Sequence, residues 1–320
     1  MADPIVGRTR IEEVAMQYDV VIVGGGPSGL SAALALGRAR RRVLLCDSGP
    51  RRNAAAEHMH NFVTRDGTPP DDFRRIAREQ LAAYPNVEVV DARVEAVTGA
   101  RGAFDVRLSS RTVQARRLVL GTGMIDEMIP LDGFRELWGH SIFQCPYCHG
   151  WEVRDRRWGF LVLPASTAHW LPFALQLRSW SPDLVVFTNG VVELTDEVRG
   201  QLQGAGIRIE TAPVARLVGN DGRLEAVALS SGTSVPRDVL FAHPRQHQVD
   251  LVQSLGLALD DEGYVKIDPM KRETSVAGIY ASGDLTTRAQ AAVLAAAAGM
   301  QAAAAINVDL AMELAPSHAH

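Results

Sequence analysis

Cysteine is scarce in this sequence, with three thiols in 320 residues. That is too few for a disulfide framework. A cysteine-based zinc site needs about four ligands, and no second Cys-x-x-Cys pair is there to supply them. Charge of one sign is also lacking. The net charge of -4 gives no electrostatic footprint for nucleic acid or an anionic membrane. No run approaches the ~20 apolar residues of a membrane span. Residues 291–305 are apolar but alanine-rich and broken by Gly299 and Gln301, which reads as a packed helix. The first 17 residues are polar and of mixed charge, unlike a secretory signal, so the expected location is the cytoplasm. There is no short-period repeat and no low-complexity linker.

What is present is 47% apolar residues and 28 glycines, which suits roughly two domains with sizeable cores. Asp19–Val23 is a short β-branched run that reads as a buried parallel strand. The turn Gly24-Gly25-Gly26-Pro27-Ser28-Gly29 and a helical pattern follow it. A second strand, Val43–Cys46, ends at Asp47. A helix starts at Pro70, with Phe73, Ile76, Ala77 and Leu81 on one face. Val87–Val90 and Leu118–Leu120 read as strands, the latter entering Gly121-Thr122-Gly123. A second α/β pattern begins near Trp158, with strands Gly159–Leu163 and Leu184–Phe187 around a helix Ala168–Trp180. Asp261–Gly263 reads as a hairpin turn before Tyr264. A strand Gly278–Ser282 meets Gly283-Asp284, and a long helix follows over Arg288–Asn307.

Gly24, Gly26 and Gly29 have the dinucleotide-binding spacing. The first allows a tight turn, the second lets a pyrophosphate approach the backbone, and the third lets helix and strand pack closely. The helix N-terminus faces the phosphates, and Asp47 stands where an acid bonds a ribose diol. Gly283-Asp284 discriminates further. A carboxylate there, before a helix N-terminus, holds a ribityl chain and aims a helix dipole at the flavin ring. Together these motifs argue for FAD. In the middle of the chain stands Cys145-Pro146-Tyr147-Cys148-His149-Gly150, a reactive dithiol or disulfide with a histidine beside it. Cys46 reads as a buried spacer. His58 and His60 fit either a flavin or substrate mouth or a plain surface loop. Trp151 fits a substrate groove or packing alone.

The order of these motifs resembles the low-molecular-weight thioredoxin reductase family of FAD-dependent disulfide oxidoreductases, over about Tyr18 to Ile306. The resemblance implies an α/β fold of two Rossmann-like three-layer domains. Residues 1–126 and 246–320 would form a discontinuous FAD domain. Residues 127–245 would form an inserted, degenerate NADPH-type domain carrying the CxxC motif. Cys148 would face the flavin and Cys145 would exchange with substrate. The implied FAD site comprises Gly24, Gly26, Pro27, Ser28, Gly29, Asp47, Ser48, Arg52, Asn53, Val94, Gly121, Thr122, Gly123, Gly283, Asp284, Gln290 and Ala291. No metal is implied, and the assembly would be a homodimer.

The sequence departs from thioredoxin reductases in three places. The second glycine fingerprint is replaced by Pro164-Ala165-Ser166-Thr167, whose side chains obstruct a pyrophosphate. The next strand ends in Thr188-Asn189-Gly190, without the basic residues that would pair with the NADPH 2′-phosphate. His149 replaces the acid that follows the second cysteine. The Cys-Pro-aromatic-Cys-His-Gly segment resembles instead the dithiol oxidases of natural-product pathways, of the gliotoxin, holomycin and romidepsin type. That resemblance implies oxidation of a small-molecule dithiol through Cys145, Cys148 and FAD to O2, with His149 as base and H2O2 released. Alternatives are a thioredoxin-disulfide reductase using NADPH or another donor, and a redox sensor that switches a protein partner.

Overall fold

The computed structural model describes residues 17–314. The N-terminal segment read above, nearly all of which precedes Gln17, and the histidine-bearing tail after Leu314 lie outside the described residues. The chain opens with β1 (Gln17–Val23), α1 (Pro27–Arg38), β2 (Val43–Cys46), α2 (Pro70–Leu81) and β3 (Val87–Val90). An antiparallel meander follows: β4 (Val94–Ala100), β5 (Ala103–Leu108) and β6 (Thr112–Leu120). Phe104, Val106 and Leu108 are buried while their neighbours are exposed, the period-two pattern of a half-buried strand.

Beyond β7 (Ile125–Asp126), the chain forms α3 (Phe134–Leu137), β8 (Ile142–Phe143), α4 (Pro146–His149), β9 (Trp158–Leu161), α5 (Trp170–Leu177), β10 (Leu184–Phe187), α6 (Asp196–Gly204) and β11 (Arg208–Glu210). A hairpin sheet of β12 (Val214–Asn220), β13 (Arg223–Leu229) and β14 (Ser234–Pro236) precedes β15 (Val239–Ala242). The chain returns through β16 (Gln246–His247) and α7 (Asp250–Ser254) to β17 (Ile279–Ala281) and α8 (Ala292–Met312).

Two main sheets result. The first has the order β3-β2-β1-β6-β5-β4, with β17 also paired to β6. It therefore joins strands from both ends of the chain. The second has the order β11-β10-β9-β15-β8, parallel in every pair. The two crossing segments meet as the antiparallel pair β7–β16, with Gln246 opposite Asp126.

Alternation along each central strand divides the cores. Val20 and Ile22 face α1 and α8, while Val21 and Val23 face the layer holding Leu251 and Tyr264. In the second sheet Trp158 and Phe160 face α5 and α6, while Leu161 faces α3 and the hairpin sheet. Both sheets are thus sandwiched, as parallel strands buried on both faces require. By length and composition α8 could cross a membrane. It packs instead on α1, where a Cβ at Gly299 would lie 2.0 Å from the Ser28 carbonyl oxygen.

Several element bounds differ from the sequence expectations. The last helix begins at Ala292, because residues 288–291 form the approach to its N-cap. The helix expected over Ala168–Trp180 is restricted to Trp170–Leu177. Ahead of it, Pro164–Ser166 makes a single 3₁₀ turn.

Candidate active site

β1 delivers the chain into the first glycine turn. Gly24 has φ +113°, and a Cβ there would meet the Gly121 oxygen at 2.3 Å. A Cβ on Gly29 would meet the Gly24 oxygen at 1.9 Å, so α1 rests directly on the turn. A Cβ on Gly26, by contrast, would have nothing within 4 Å. Pro27 opens α1, and no side chain caps it. An open backbone cradle at an uncapped helix N-terminus fits a pyrophosphate. Ser28 is buried, and its Oγ lies 2.6 Å from that of Ser282, joining the first helix to the end of β17. Gly121 N donates to the Val23 oxygen, and Thr122 Oγ1 beside it is buried without a protein partner. Such an orphan is satisfied when a polar ligand lies there.

Asp47 is buried at the end of β2. Burial alone would push its carboxyl up, but the Gly49 N–H and the Arg74 and Arg78 guanidiniums hold it below the usual range. It is therefore ionised and able to accept from a ribose diol. Ser48 and Asn53 are exposed, and Val94 is buried in the core with Cys46. Gly123 is in the left-handed region, and Ala291 is the extended N-cap of α8.

Arg52 gathers the site. Its guanidinium binds both oxygens of Asp126 at 2.7 Å and reaches Asp284 at 3.3 Å. It also donates to Gln144 and Gln290. Gln246 donates to Asp126 at 2.9 Å, accepts from Gln290 at 2.8 Å, and accepts from the Tyr264 hydroxyl at 3.2 Å. Burial pushes the Asp284 carboxyl up despite Arg52. This cluster links the loop after β2, both crossing strands, the Gly283-Asp284 turn and the residue preceding Cys145.

Cys145 is the N-cap of α4, and the chain turns sharply so that Cys148 N donates to the Cys145 oxygen. Both cysteines are reduced and half-buried. A hydrogen bond from Cys148, two backbone N–H groups and the Arg52 charge hold the Cys145 thiol below its ordinary value against the effect of burial. The same shared bond, burial and the Asp284 charge push Cys148 up. The dithiol thus carries its negative charge on Cys145, with Cys148 as the S–H donor.

His149 stacks on Phe143, with centroids 4.4 Å apart and planes 14° apart. Its Nδ1 is buried without a partner. Burial holds its imidazole below the ordinary value, so it is neutral at pH 7 and free to accept a proton. Beside the motif Tyr147 is 60% exposed and Trp151 66% exposed, with the Arg154 guanidinium 4.0 Å from the Trp151 ring centroid. Cys46 is buried in the first core, as its apolar strand implies.

The turn after β9 is closed by its own side chain. Ser166 Oγ accepts from Leu163 N at 3.0 Å and donates to the Leu163 oxygen at 2.9 Å. After β10, Asn189 Oδ1 accepts from Val214 N at 2.8 Å.

This arrangement, a dinucleotide cradle beside a half-buried dithiol, defines a flavin-dependent disulfide oxidoreductase. The chain belongs to the pyridine nucleotide-disulphide oxidoreductase family, whose pattern matches residues 18–166 and 184–302. It is a thioredoxin reductase-like enzyme that uses FAD. "Thioredoxin reductase sirT" of Leptosphaeria maculans is 32% identical, over 91% of this chain and 93% of that protein. "Thioredoxin reductase tcpT" of Claviceps purpurea is 34% identical, over 83% and 86%. Among solved structures, that of HlmI superposes with a TM-score of 0.84 at 38% identity, over 94% of each chain. An oxidoreductase from Agrobacterium tumefaciens gives 0.86 at 36% identity, over 93% of this chain and 99% of that one.

Asp126, Gln144 and Gln246 were not legible as site residues. Their roles arise where the crossing strands meet, and no local motif marks them. Gln144 had one signal, its place before Cys145. His243 was also missed: its Nε2 lies 2.9 Å from the Gln144 oxygen. His243 and His247 have a zinc-like spacing, but His247 engages the Gln248 oxygen instead.

Proposed function

We propose that the chain is a dithiol oxidase that closes an intramolecular disulfide in a small, peptide-derived natural product and passes the electrons to O2. The observation that carries this reading is the turn after β9. Ser166 occupies both backbone groups of Leu163, and Pro164 lacks an N–H, so the turn offers little to a second dinucleotide. The Thr188-Asn189-Gly190 segment supplies no cation for a 2′-phosphate. Electrons then enter from the thiol side.

The residues present fit that direction. A substrate thiolate attacks Cys145 of the oxidised pair, and the Cys145–Cys148 bond breaks with Cys148 leaving as a thiolate. The second substrate thiol attacks the substrate sulfur of that mixed disulfide. The ring closes and Cys145 leaves; a proton given up by the substrate thiols passes to the Cys148 thiolate, whose S–H then stabilises the Cys145 thiolate together with two backbone N–H groups and Arg52. His149 accepts a thiol proton, since each exchange needs a thiolate. Bound FAD supplies two-electron oxidation of the Cys145–Cys148 dithiol and the outlet to O2. Asp47, the Gly24–Gly29 turn, Thr122 and Asp284 would hold it. Strained product disulfides are oxidising relative to a thioredoxin pool near about -270 mV, which favours oxygen over a nicotinamide as acceptor.

The test is oxygen consumption and peroxide release with small dithiols, for wild type and Cys145→Ser, beside an insulin-coupled thioredoxin assay. Peroxide with dithiol and no thioredoxin reduction is expected. The opposite pattern makes the chain a reductase. Silence in both assays favours a thiol-bearing sensor.

A further inference from the structure

Asp47, at the end of β2, is held from α2 by a pair of arginines. Arg74 and Arg78 lie four residues apart on that helix, so they leave it on one face. Both donate to the same carboxylate oxygen, Asp47 Oδ2, Arg78 at 3.0 Å. Arg74 also donates to the Gly49 oxygen at 3.3 Å, and Arg78 to Asp91 at 2.7 Å. Asp47 Oδ1 accepts from Gly49 N at 3.1 Å and has no other partner among the described residues. The carboxylate rests on the first glycine turn. A Cβ on Gly25 would lie 2.2 Å from Asp47 Oδ2 and 2.7 Å from the Asp47 Cβ. Gly25 stands outside the Gly24, Gly26 and Gly29 spacing, and this contact is what its missing side chain permits.

We propose that Arg74 and Arg78 are positioning residues for FAD, fixing the Asp47 carboxylate so that Oδ1 is the acceptor for the adenosine ribose diol. Charge balance for one buried carboxylate needs one cation. Two on a single oxygen also fix the carboxylate plane, and they leave the second oxygen with a lone pair to spare. An acceptor already anchored binds a hydroxyl more tightly than one that must be ordered on binding. Arg78 extends the constraint to Asp91, beyond β3, and Arg74 extends it to the Asp47-Ser48-Gly49 turn. The arginines thus act on the cofactor through Asp47, whichever way the electrons flow.

The test uses the full chain stripped of FAD and measures ADP and 2′-deoxyADP as competitors of FAD rebinding, read by flavin fluorescence. ADP carries the ribose diol, and 2′-deoxyADP lacks one of its hydroxyls. Wild type is expected to prefer ADP by about tenfold. The double variant Arg74→Met with Arg78→Met should lose most of that preference, as should Asp47→Ala. Each single arginine variant should lose part of it, which carries the test if the double variant does not fold. Arg75→Met, on the same helix but paired with Asp72 and Glu79, should keep it. A full preference for ADP in the double variant, with both nucleotides weakened equally, would make the arginines merely structural and overturn the proposal. So would a wild type that binds both nucleotides equally, or a loss of the preference in Arg75→Met.

Discussion

Arg52 grips Asp126 through two parallel hydrogen bonds, Nε to Oδ2 and Nη2 to Oδ1, each 2.7 Å long. Asp126 is 7% exposed and lies on β7, one of the two strands that join the sheets. The same guanidinium reaches Gln144, next to Cys145, and Asp284, at the turn after β17. One cation thus ties the crossing strands, the redox motif and the Asp284 carboxylate together. Removing Asp126 leaves the Arg52 cation with only the longer 3.3 Å contact to Asp284 and two neutral amide oxygens. Asp126→Ala is expected to cost about 3 kcal/mol, read as a lower melting temperature of the FAD-loaded protein. A melting temperature equal to wild type would show the pair to be idle.

The thiol pair makes a second prediction. Cys145 is held low chiefly by the Cys148 S–H. In Cys148→Ala that donor is gone, and Cys145 should return towards the ordinary thiol value. Iodoacetamide labelling of Cys145 at pH 7 is then expected to slow by up to about tenfold relative to the reduced wild type. Equal rates would mean that the S–H bond does not stabilise the thiolate.

The glycine turn separates binding from folding. Gly26→Ala adds a methyl where the protein has nothing within 4 Å, on the side open to a pyrophosphate. Gly29→Ala places one 1.9 Å from the Gly24 oxygen, inside the packed turn. The first variant should fold normally as apoprotein but lose FAD affinity by about tenfold or more. The second should lose thermal stability as well. Flavin fluorescence titration and apoprotein melting curves check both. Full FAD retention in Gly26→Ala would place the pyrophosphate elsewhere.

His243 gives a pH dependence. Burial lowers its imidazole from the ordinary value to about 4, although the Gln144 carbonyl favours the proton. The unfolded chain binds a proton near pH 6.5 and the folded one only near 4. Stability contributed by this site is therefore complete above about pH 6.5 and falls as pH drops from there towards 4. His243→Asn is expected to flatten that acid limb in urea unfolding. An unchanged limb would assign it to other groups.

Much of this was legible in the sequence. The strand-turn-helix around Gly24–Gly29, the acid at Asp47, Gly283-Asp284 and the Cys145–His149 motif are local patterns, each fixed by short-range geometry. So was the missing second fingerprint at Pro164–Ser166, although the serine's double bond to Leu163 needed coordinates. The antiparallel strands β4 and β5 and the hairpin sheet exceeded expectation. Phe104, Val106 and Leu108 do alternate, but pairing between distant segments decides whether such a run becomes a strand. The Arg52 cluster was hidden for the same reason. Residues 52, 126, 144, 246, 284 and 290 meet only because the crossing strands return the chain to its first sheet. From sequence His60 fits either a surface loop or the site mouth; Asn61 beside it donates to the Tyr147 oxygen, a contact between distant segments that no local pattern marks.

The most direct test of the central claim is anaerobic stopped-flow reduction of the bound flavin by a small dithiol and, separately, by NADPH. The account predicts that the dithiol bleaches the flavin within the turnover time, that Cys145→Ser abolishes this, and that NADPH leaves the flavin oxidised. Rapid bleaching by NADPH, with the dithiol inert, would contradict it.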